Sequence, residues 1–220
     1  MVRQPDLRTP QSPNLPLATD AYNRGQQEQL LRTLRLYFNT LDNTWQALLS
    51  PEIDKGLGGG YLHFPYGSFY DTTDQTAANT TTAYVIGLNS TTYSNGVTID
   101  AGTKITVAFR GAYNIQSGIQ LKNTTNSSQD VDIWFRKNGT DIPNSNSRFG
   151  IPARSSSGNP AHTIAALNFI VELTVDDYVE LVWCTSDVGV VIEQYPVDTS
   201  PDRPATPSII LTTTFVSRID

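Results

Sequence analysis

The chain has 220 residues, of which 16% are charged, and its formal net charge is −6 at pH 7. A chain of this length can bury a sizeable core within one principal domain. The acidic balance and the lack of clustered Lys and Arg argue against a nucleic-acid-binding protein, because a phosphate-facing surface needs positive charge. Thr, Ser, Asn and Gly are abundant while helix formers are scarce, which favours strands joined by polar turns.

Residues 1–19 are predicted to form an extended arm. Pro5, Pro10, Pro13 and Pro16 stand among polar residues there, and this spacing disfavours a helix. Such an arm is either disordered or anchored to a partner. It has no continuous apolar stretch followed by a cleavage-like site, and no later run is long enough to cross a bilayer. We therefore expect neither a secretory signal nor a membrane partner.

Residues 20–50 are predicted to form a long helix, with Asp20 as its cap and Pro51 after its end. Apolar residues recur along it at alternating spacings of four and three, and a second stripe widens the same face. The predicted apolar face comprises Leu30, Leu31, Leu34, Tyr37, Phe38, Leu41, Trp45 and Leu48. A helix packed against its own domain would show the same pattern. The sequence GLGGG, within a predicted hinge over residues 51–65, separates the helix from the C-terminal region and favours a self-associating stalk.

From residue 66 to residue 220 the hydrophobic period changes to two, which predicts a β domain. Strand candidates lie at 82–88, 104–110, 112–122, 130–138, 162–173, 178–185, 188–195 and 208–217. The pairs Asn95-Gly96 and Asn138-Gly139 are expected in tight turns between strands. Two strands are apolar on both faces, as Trp134 and Val182 illustrate, so we expect a symmetric neighbour to cover the second face.

No catalytic, cofactor or metal site is predicted. Asp176, Asp177 and Glu180 form the densest carboxylate cluster, but the surrounding TVDDYVEL is more typical of a turn between two strands. His63 and His162 are the only histidines, and they lack the spacing of a zinc site.

Aromatic and arginine side chains at predicted loops are the candidates for recognising a ligand, since such residues anchor many contacts with glycans and proteins. They are Tyr66, Phe69, Tyr70, Tyr93, Arg148, Phe149, Arg154 and Tyr195. Packing at a trimer axis or at the base of the domain explains them equally well, so no binding site is assigned.

The Asn-x-Ser/Thr triplets, including that of Asn123, are interpreted as features of Asn- and Thr-rich strands and loops. Cys184, the single cysteine, is expected to be a buried free thiol.

Four segments between residues 66 and 217, taken together, are similar to a known protein family: YGSFYDTTDQT, GAYNIQ, IWFRKNG and PSIILTTTFV. They resemble the trimeric jelly-roll heads of the tumour-necrosis-factor and complement-component type, in the version found in virion proteins of marine and cyanobacterial tailed phages. The N-terminal NLPLATDAYNRGQQEQLLRTLRLYFNTLDN is similar to the attachment and stalk segments of phage appendage proteins.

The resemblance implies a mainly β protein: an antiparallel jelly-roll sandwich preceded by an extended arm and a trimeric, coiled-coil-like helical stalk. It also implies a homotrimeric, non-enzymatic virion protein, made in the host cytoplasm, that forms a short fibre or a capsid decoration. Residues 1–20 would attach it to capsid, portal or tail proteins, with the heads projecting outward. A tail-fibre protein that binds a host surface glycan or protein is the alternative, and a polysaccharide-degrading tailspike enzyme is less favoured.

Overall fold

The computed structural model describes residues 12–17, 21–49 and 64–219, with the side chains of 43–49 left out. The chain divides into one compact unit that ends at Phe64 and a second that begins at Pro65. The predicted cap Asp20, the glycine-rich hinge and His63 lie outside the described residues.

The N-terminal unit contains helix α1, which spans Arg24–Leu49. Its cap is Asn23, whose side-chain oxygen Oδ1 accepts a hydrogen bond from the backbone N–H of Gln26 at 3.2 Å. The helix thus begins later than predicted, because Asn23 satisfies one of the free N–H groups that every helix start exposes. Residues 12–17 have no regular secondary structure. The carbonyl of Leu17 accepts a hydrogen bond from the side-chain amide of Gln26.

The predicted apolar face of α1 is open in the single chain. Leu30, Leu34, Tyr37 and Leu41 are half-buried, and no side chain described between Arg24 and Asp42 is buried. Leu31 and Phe38 are also largely exposed, whereas the side chains of Trp45 and Leu48 lie outside the described part. Within the described residues, no helix combines the length and the apolar character needed to cross a membrane.

The second unit is mainly β, and its strands pair antiparallel. The described strands are β1 Tyr66–Asp71, β2 Gln75–Thr76, β3 Tyr84–Val85, β4 Ser90–Asn95, β5 Val97–Asp100, β6 Lys104–Val107, β7 Gly111–Asn123, β8 Gln129–Lys137, β9 Thr140–Asp141, β10 Ser147–Ile151, β11 Ala161–Leu173, β12 Tyr178–Thr185, β13 Val190–Ile192, β14 Asp198–Thr199, β15 Asp202–Arg203 and β16 Ile209–Ser217. We refer to this unit as the head.

The first sheet is organised around β7. Strand β11 pairs with β7 along its whole length, from Ala161 opposite Asn123 to Leu173 opposite Gly111. On the other side of β7, strands β16 and β13 lie end to end. Strand β1 then pairs with β16, β4 pairs with β1, and the short β2 pairs with β13.

The second sheet has the order β10-β8-β12-β6-β5, with β3 added to β12 and β9 added to β8. Side chains from both sheets form one buried cluster, so the head is a sandwich around a single core. Phe135 of β8 stacks on Phe169 of β11 with ring centroids 4.9 Å apart, which ties the two sheets together. The largest buried side chain is that of Trp183 on β12.

The outward face of β12 differs from the prediction. Val182 points away from the core, because its neighbours Leu181 and Trp183 belong to the core cluster, yet it is fully buried within the single chain. Trp134, opposite Val182 on β8, is half-buried, and so is Cys184. The chain therefore covers Val182 itself, whereas Trp134 and Cys184 remain partly exposed.

Candidate functional site

The outward side of the first sheet is the most distinctive surface of the head. We define the outer face as the outward-pointing side chains of β1, β16, β7 and β11. The strand registers align them in three rows, Tyr70–Ile210–Gly118–Ala166, Ser68–Thr212–Gln116–Asn168 and Tyr66–Thr214–Asn114–Ile170. The first and third rows carry apolar side chains, and the middle row is made of Ser, Thr, Gln and Asn.

Three isoleucines on the outer face are unusually exposed for their type: Ile164 at 64%, Ile170 at 60% and Ile210 at 48%. Single exposed apolar residues are ordinary, but a group on one sheet face indicates a contact surface. Ile164 and Ile170 lie on β11, which among the described residues pairs with β7 alone and therefore forms an edge of the sheet. Edge strands with apolar side chains are usually covered in the functional state.

A groove of about 450 Å³ lies in the middle of the outer face. It is lined by Gln116, Ser117, Gly118, Ala166, Leu167, Asn168, Ile210 and Thr212. The groove exists because Gly118 and Ala166 are paired neighbours and neither carries a large side chain. A Cβ atom built on Gly118 would meet no heavy atom within 4 Å, so the space above this residue is free.

The predicted carboxylate cluster lies at a turn and does not form a site. Lys137 Nζ is 2.9 Å from Oδ2 of Asp177, and the side-chain amide of Asn138 donates to Oδ1 at 2.7 Å. The backbone N–H of Thr174 also donates to Oδ2 at 2.8 Å. Partial burial opposes ionisation of Asp177, but these donors outweigh it and hold the pKa of the carboxyl well below its usual range. Through these contacts, the two carboxylate oxygens of Asp177 connect the turn before β12 to the Asn138-Gly139 turn and to the adjacent Lys137.

The other two carboxylates of the cluster have separate environments. Asp176 has a positive φ of 65° and is exposed in the turn. Glu180 is buried on the outward side of the second sheet, where its Oε1 accepts a hydrogen bond from the hydroxyl of Thr103 at 2.9 Å. Neither shares a cleft with Asp177 among the described contacts. In the described part of the chain, no group of three or more His, Cys, Asp and Glu side chains is placed to hold a metal ion.

The predicted recognition residues are scattered over the head. Phe69 is fully buried in the core, and Phe149 packs against the core. Arg148 forms a two-pronged contact with Asp132, with Nε and Nη2 each 3.0 Å from a carboxylate oxygen. Tyr66 and Tyr70 lie on the outer face, and Tyr93 of β4 lies beside them, opposite Ser68. Arg154 and Tyr195 lie toward the end of the head that contains the last residue of β7.

A buried asparagine organises that end of the head. Asn123 is fully buried; its amide donates to the carbonyls of Ser127 and Pro152, both at 2.8 Å, and its Oδ1 accepts from the backbone N–H and the hydroxyl of Thr125. Arg154 donates to Asn126 Oδ1 at 2.7 Å in the same loops. The sequence draws attention to Asn123 only as part of an Asn-x-Thr triplet, because the partners come from separate loops.

No protein-family model matches the chain, and no curated protein is similar to it. Function therefore has to be inferred from the surfaces of the head and the helix.

We expect Asp177→Asn to lower the free energy of unfolding of the head at pH 7 by about 1–3 kcal/mol, because the ion pair with Lys137 is lost and the remaining hydrogen bonds are neutral. The folded-state pKa of Asp177 is depressed. Its contribution is therefore complete above the unfolded-state pKa of about 3.9 and is lost as the pH falls toward the folded-state pKa. Urea unfolding at neutral pH and at about pH 3 should thus show the difference from wild type shrinking in acid.

Asp176→Asn is the matched control, because it removes the neighbouring carboxylate and asparagine tolerates a positive φ. It should change the unfolding free energy by less than about 0.5 kcal/mol. Equal effects of the two substitutions would show that the Asp177 contacts do not stabilise the turn.

Proposed function

We propose that this protein is a structural subunit without enzymatic activity that assembles as a homotrimer and forms an appendage of a virion. Its role would be that of a short fibre or a capsid decoration. In this proposal residues 1–20 attach to capsid, portal or tail proteins, α1 forms a three-stranded stalk and the heads project outward. The observation that carries the proposal is the exposed apolar outer face of the first sheet.

Strand order supports the finer assignment of the head as a jelly roll. If the strands of two or three residues and the end strands β4 and β5 are set aside, the first sheet has the order β1-β16-β7-β11 and the second the order β10-β8-β12-β6. Consecutive strands thus repeatedly cross from one sheet to the other, and the first and last strands of the head are neighbours. This winding is expected of an eight-stranded double-sheet jelly roll.

The outer face suits a ring of subunits better than a pair related by a two-fold axis. Its β11 side presents Ile164 and Ile170, whereas its β1 and β4 side presents Tyr66 and Tyr93. A contact between two different edges is heterologous, and heterologous contacts close into rings when the rotation allows it. The central groove would accept an apolar side chain of the neighbouring copy. The proposed number of subunits in the ring, three, comes from the resemblance of the sequence to trimeric heads.

The open apolar face of α1 supports the same arrangement in the N-terminal unit. In an isolated chain, Leu30, Leu34, Tyr37 and Leu41 gain only partial burial. Their alternating spacings place them on one seam, as in left-handed coiled coils. Leu31 and Phe38 widen that seam, and a wider apolar face can be buried more completely by two neighbouring helices than by one.

A receptor-binding tail-fibre protein is the second candidate function, and the loops around Asn123 favour it. Tyr66 of β1 pairs with Thr214, and Thr214 pairs with Asn114 of β7. Asn123 lies nine residues further along β7, which corresponds to about 30 Å of strand. These loops are therefore distant from the point where the chain enters the head. Loops held by many internal hydrogen bonds lose little entropy on binding, which suits recognition of a host glycan or protein.

The polysaccharide-degrading tailspike is the least favoured candidate. A glycosidase needs two carboxylates that face the scissile bond from a common cleft. Asp177 is already bound by Lys137, Asn138 and Thr174, and Glu180 is buried on β12, where it accepts a hydrogen bond from Thr103. The carboxylate cluster that stands out in the sequence therefore lends no support to this candidate.

We expect wild-type protein to have three times its 24.2 kDa chain mass in light scattering. Gly118→Leu should give a monomeric head or a markedly weaker assembly, because the new side chain fills the groove that the neighbouring copy would use. The isolated subunit should stay folded, since the added Cβ meets no heavy atom within 4 Å. Circular dichroism should therefore be unchanged.

Gly158→Leu is the matched control for this substitution. Its Cβ also meets no atom within 4 Å, but the residue lies in an exposed loop away from the groove. It should leave the mass unchanged. Wild type at the monomer mass would refute the trimer. Because α1 could hold a trimer by itself, the dissociation constants are compared on dilution, and a Gly118→Leu protein that dissociates no more readily than wild type would show that the outer face is not the contact.

Leu34→Asp combined with Leu41→Asp should weaken stalk association and leave the head folded, because burying unpaired carboxylates in a seam is costly. The control, Arg32→Asp with Asn39→Asp, has the same spacing but changes exposed positions outside the apolar face. Analytical ultracentrifugation of the full chain should show a larger dissociation constant for the first pair only. Equal association of all three proteins would show that α1 is not a self-association seam.

The appendage role is tested by locating the chain in a reconstruction of the virus particle that carries it. We expect three-fold symmetric density that fits three heads and lies outside the shell or on the tail. A position at tail-fibre tips would favour the receptor-binding candidate, and a regular array on the capsid would favour decoration. Absence of the protein from purified particles would overturn the virion assignment.

A further inference from the structure

A cluster of ionisable side chains lies at one end of the outer face, where the start of β11, the end of β7 and the segment after β13 meet. The register places His162 of β11 opposite Lys122 of β7, and Lys122 opposite Val191 of β13. Glu193 follows two residues later, so its side chain is on the same side of the sheet as that of Val191. The backbone N–H of Glu193 donates to the carbonyl of Gln120 at 2.9 Å, which fixes this segment against β7.

Glu193 is a nearly buried carboxylate whose two oxygens have different surroundings. Its side chain is only 10% exposed. Oε1 forms an ion pair with Nζ of Lys122. Oε2 is buried and has no hydrogen bond of regular geometry among the described residues. Nδ1 of His162 is 3.9 Å from this oxygen, and the hydroxyl of Tyr195 is 3.1 Å from the same Nδ1.

The other charges around His162 come from the neighbouring segments. Lys122 belongs to β7 and Glu193 to the segment after β13, where Tyr195 also lies. Asp74 accepts a hydrogen bond from the backbone N–H of Gln194 at 2.9 Å, and both Asp74 and the cation Arg203 of β15 act on the neighbouring Tyr195. Burial and then the adjacent Glu193 carboxylate raise the pKa of Tyr195, so its phenol stays neutral at physiological pH.

We propose that His162 and Glu193 form a pH-sensitive latch that fastens the first residues of β11 to the segment after β13 when His162 is protonated. Neutral imidazole has one N–H donor, whereas the imidazolium has two and carries a positive charge. The half-exposed ring of His162 can shift to bring Nδ1 within hydrogen-bond distance of Oε2. The result is a charge-assisted hydrogen bond to a buried carboxylate, which is stronger than a neutral one.

The latch would operate in mildly acidic conditions. Histidine in model peptides is protonated below about pH 6.5, and glutamate remains ionised above about pH 4.3. Lys122 retains its contact with the other oxygen, Oε1, throughout this range. The proposed contact lies within one chain and does not depend on assembly. The latch can therefore be disproved while the proposed function stands, and the proposed function can be disproved while the latch stands.

Hydrogen exchange of the full-length protein tests the latch. At about pH 5.5 the amides of residues 161–164 should be roughly three- to tenfold better protected in wild type than in His162→Gln, because the latch opposes local fraying. At about pH 8 the difference between the two proteins at these positions should be clearly smaller, since the latch needs a protonated imidazole. Comparing proteins at the same pH cancels the intrinsic dependence of exchange on pH. Amides of residues 170–173, at the far end of β11, serve as the internal control.

Glu193→Gln supplies the second test. In that background the effect of the additional substitution His162→Gln should be the same at both pH values, because the partner carboxylate is absent and only the contact with Tyr195 is lost. A wild-type to His162→Gln protection ratio that is the same at both pH values would overturn the latch. So would an acid-dependent ratio that persists when Glu193 is replaced, since His162 would then act through another group.

Discussion

The central strand β7 is the constraint on which the rest of the head depends. Its thirteen residues alternate strictly, so that Tyr113, Ile115, Ile119 and Leu121 enter the core while the intervening side chains form the middle of the outer face. Because side chains in a strand alternate with period two, a slip of one residue would exchange the two sets. This register also sets how the residues of β11, β16 and β13 align with those of β7. The rows of the outer face and the His162–Lys122 neighbourhood are therefore consequences of one strand.

The two outward surfaces of the sandwich have different chemistry, and this difference indicates their roles. On the second sheet, Asp132 is held by Arg148, Arg136 pairs with Asp141, and Lys104 lies 4.5 Å above the ring of Tyr178. Those contacts satisfy charges within the chain. On the first sheet, small and uncharged side chains surround the groove at Gly118, and isoleucines remain exposed beside it. Uncharged groups cost less to dehydrate than charges, so the first sheet is the better surface to bury against another copy.

Hydrophobic alternation was sufficient to find the long strands, including the edge strand β11, but not the shorter strands β1 and β4. Predictions near β7, β8, β11, β12 and β16 were confirmed, because each has an apolar core face. Strand β4, STTYSN, has no such face and exists through its pairing with β1. In β1, Gly67 packs against the ring of Phe69, so the core face of YGSFYD is not recognisable from period alone. Asn123 and Glu193 depend on contacts between segments distant in sequence, which a single sequence does not specify.

The head and the helix differ in what holds them in place. The core side chains of the head are already buried in one chain, so its fold does not require a partner, and assembly would add stability by mass action. In α1, by contrast, no described side chain from Arg24 to Asp42 is buried, although packing of an amphipathic face is the main source of helix stability in proteins. Helix α1 therefore has more to gain from association than the head. Under the proposed trimer, helix formation and subunit association would be coupled in the stalk, while the outer faces of prefolded heads would meet as rigid surfaces.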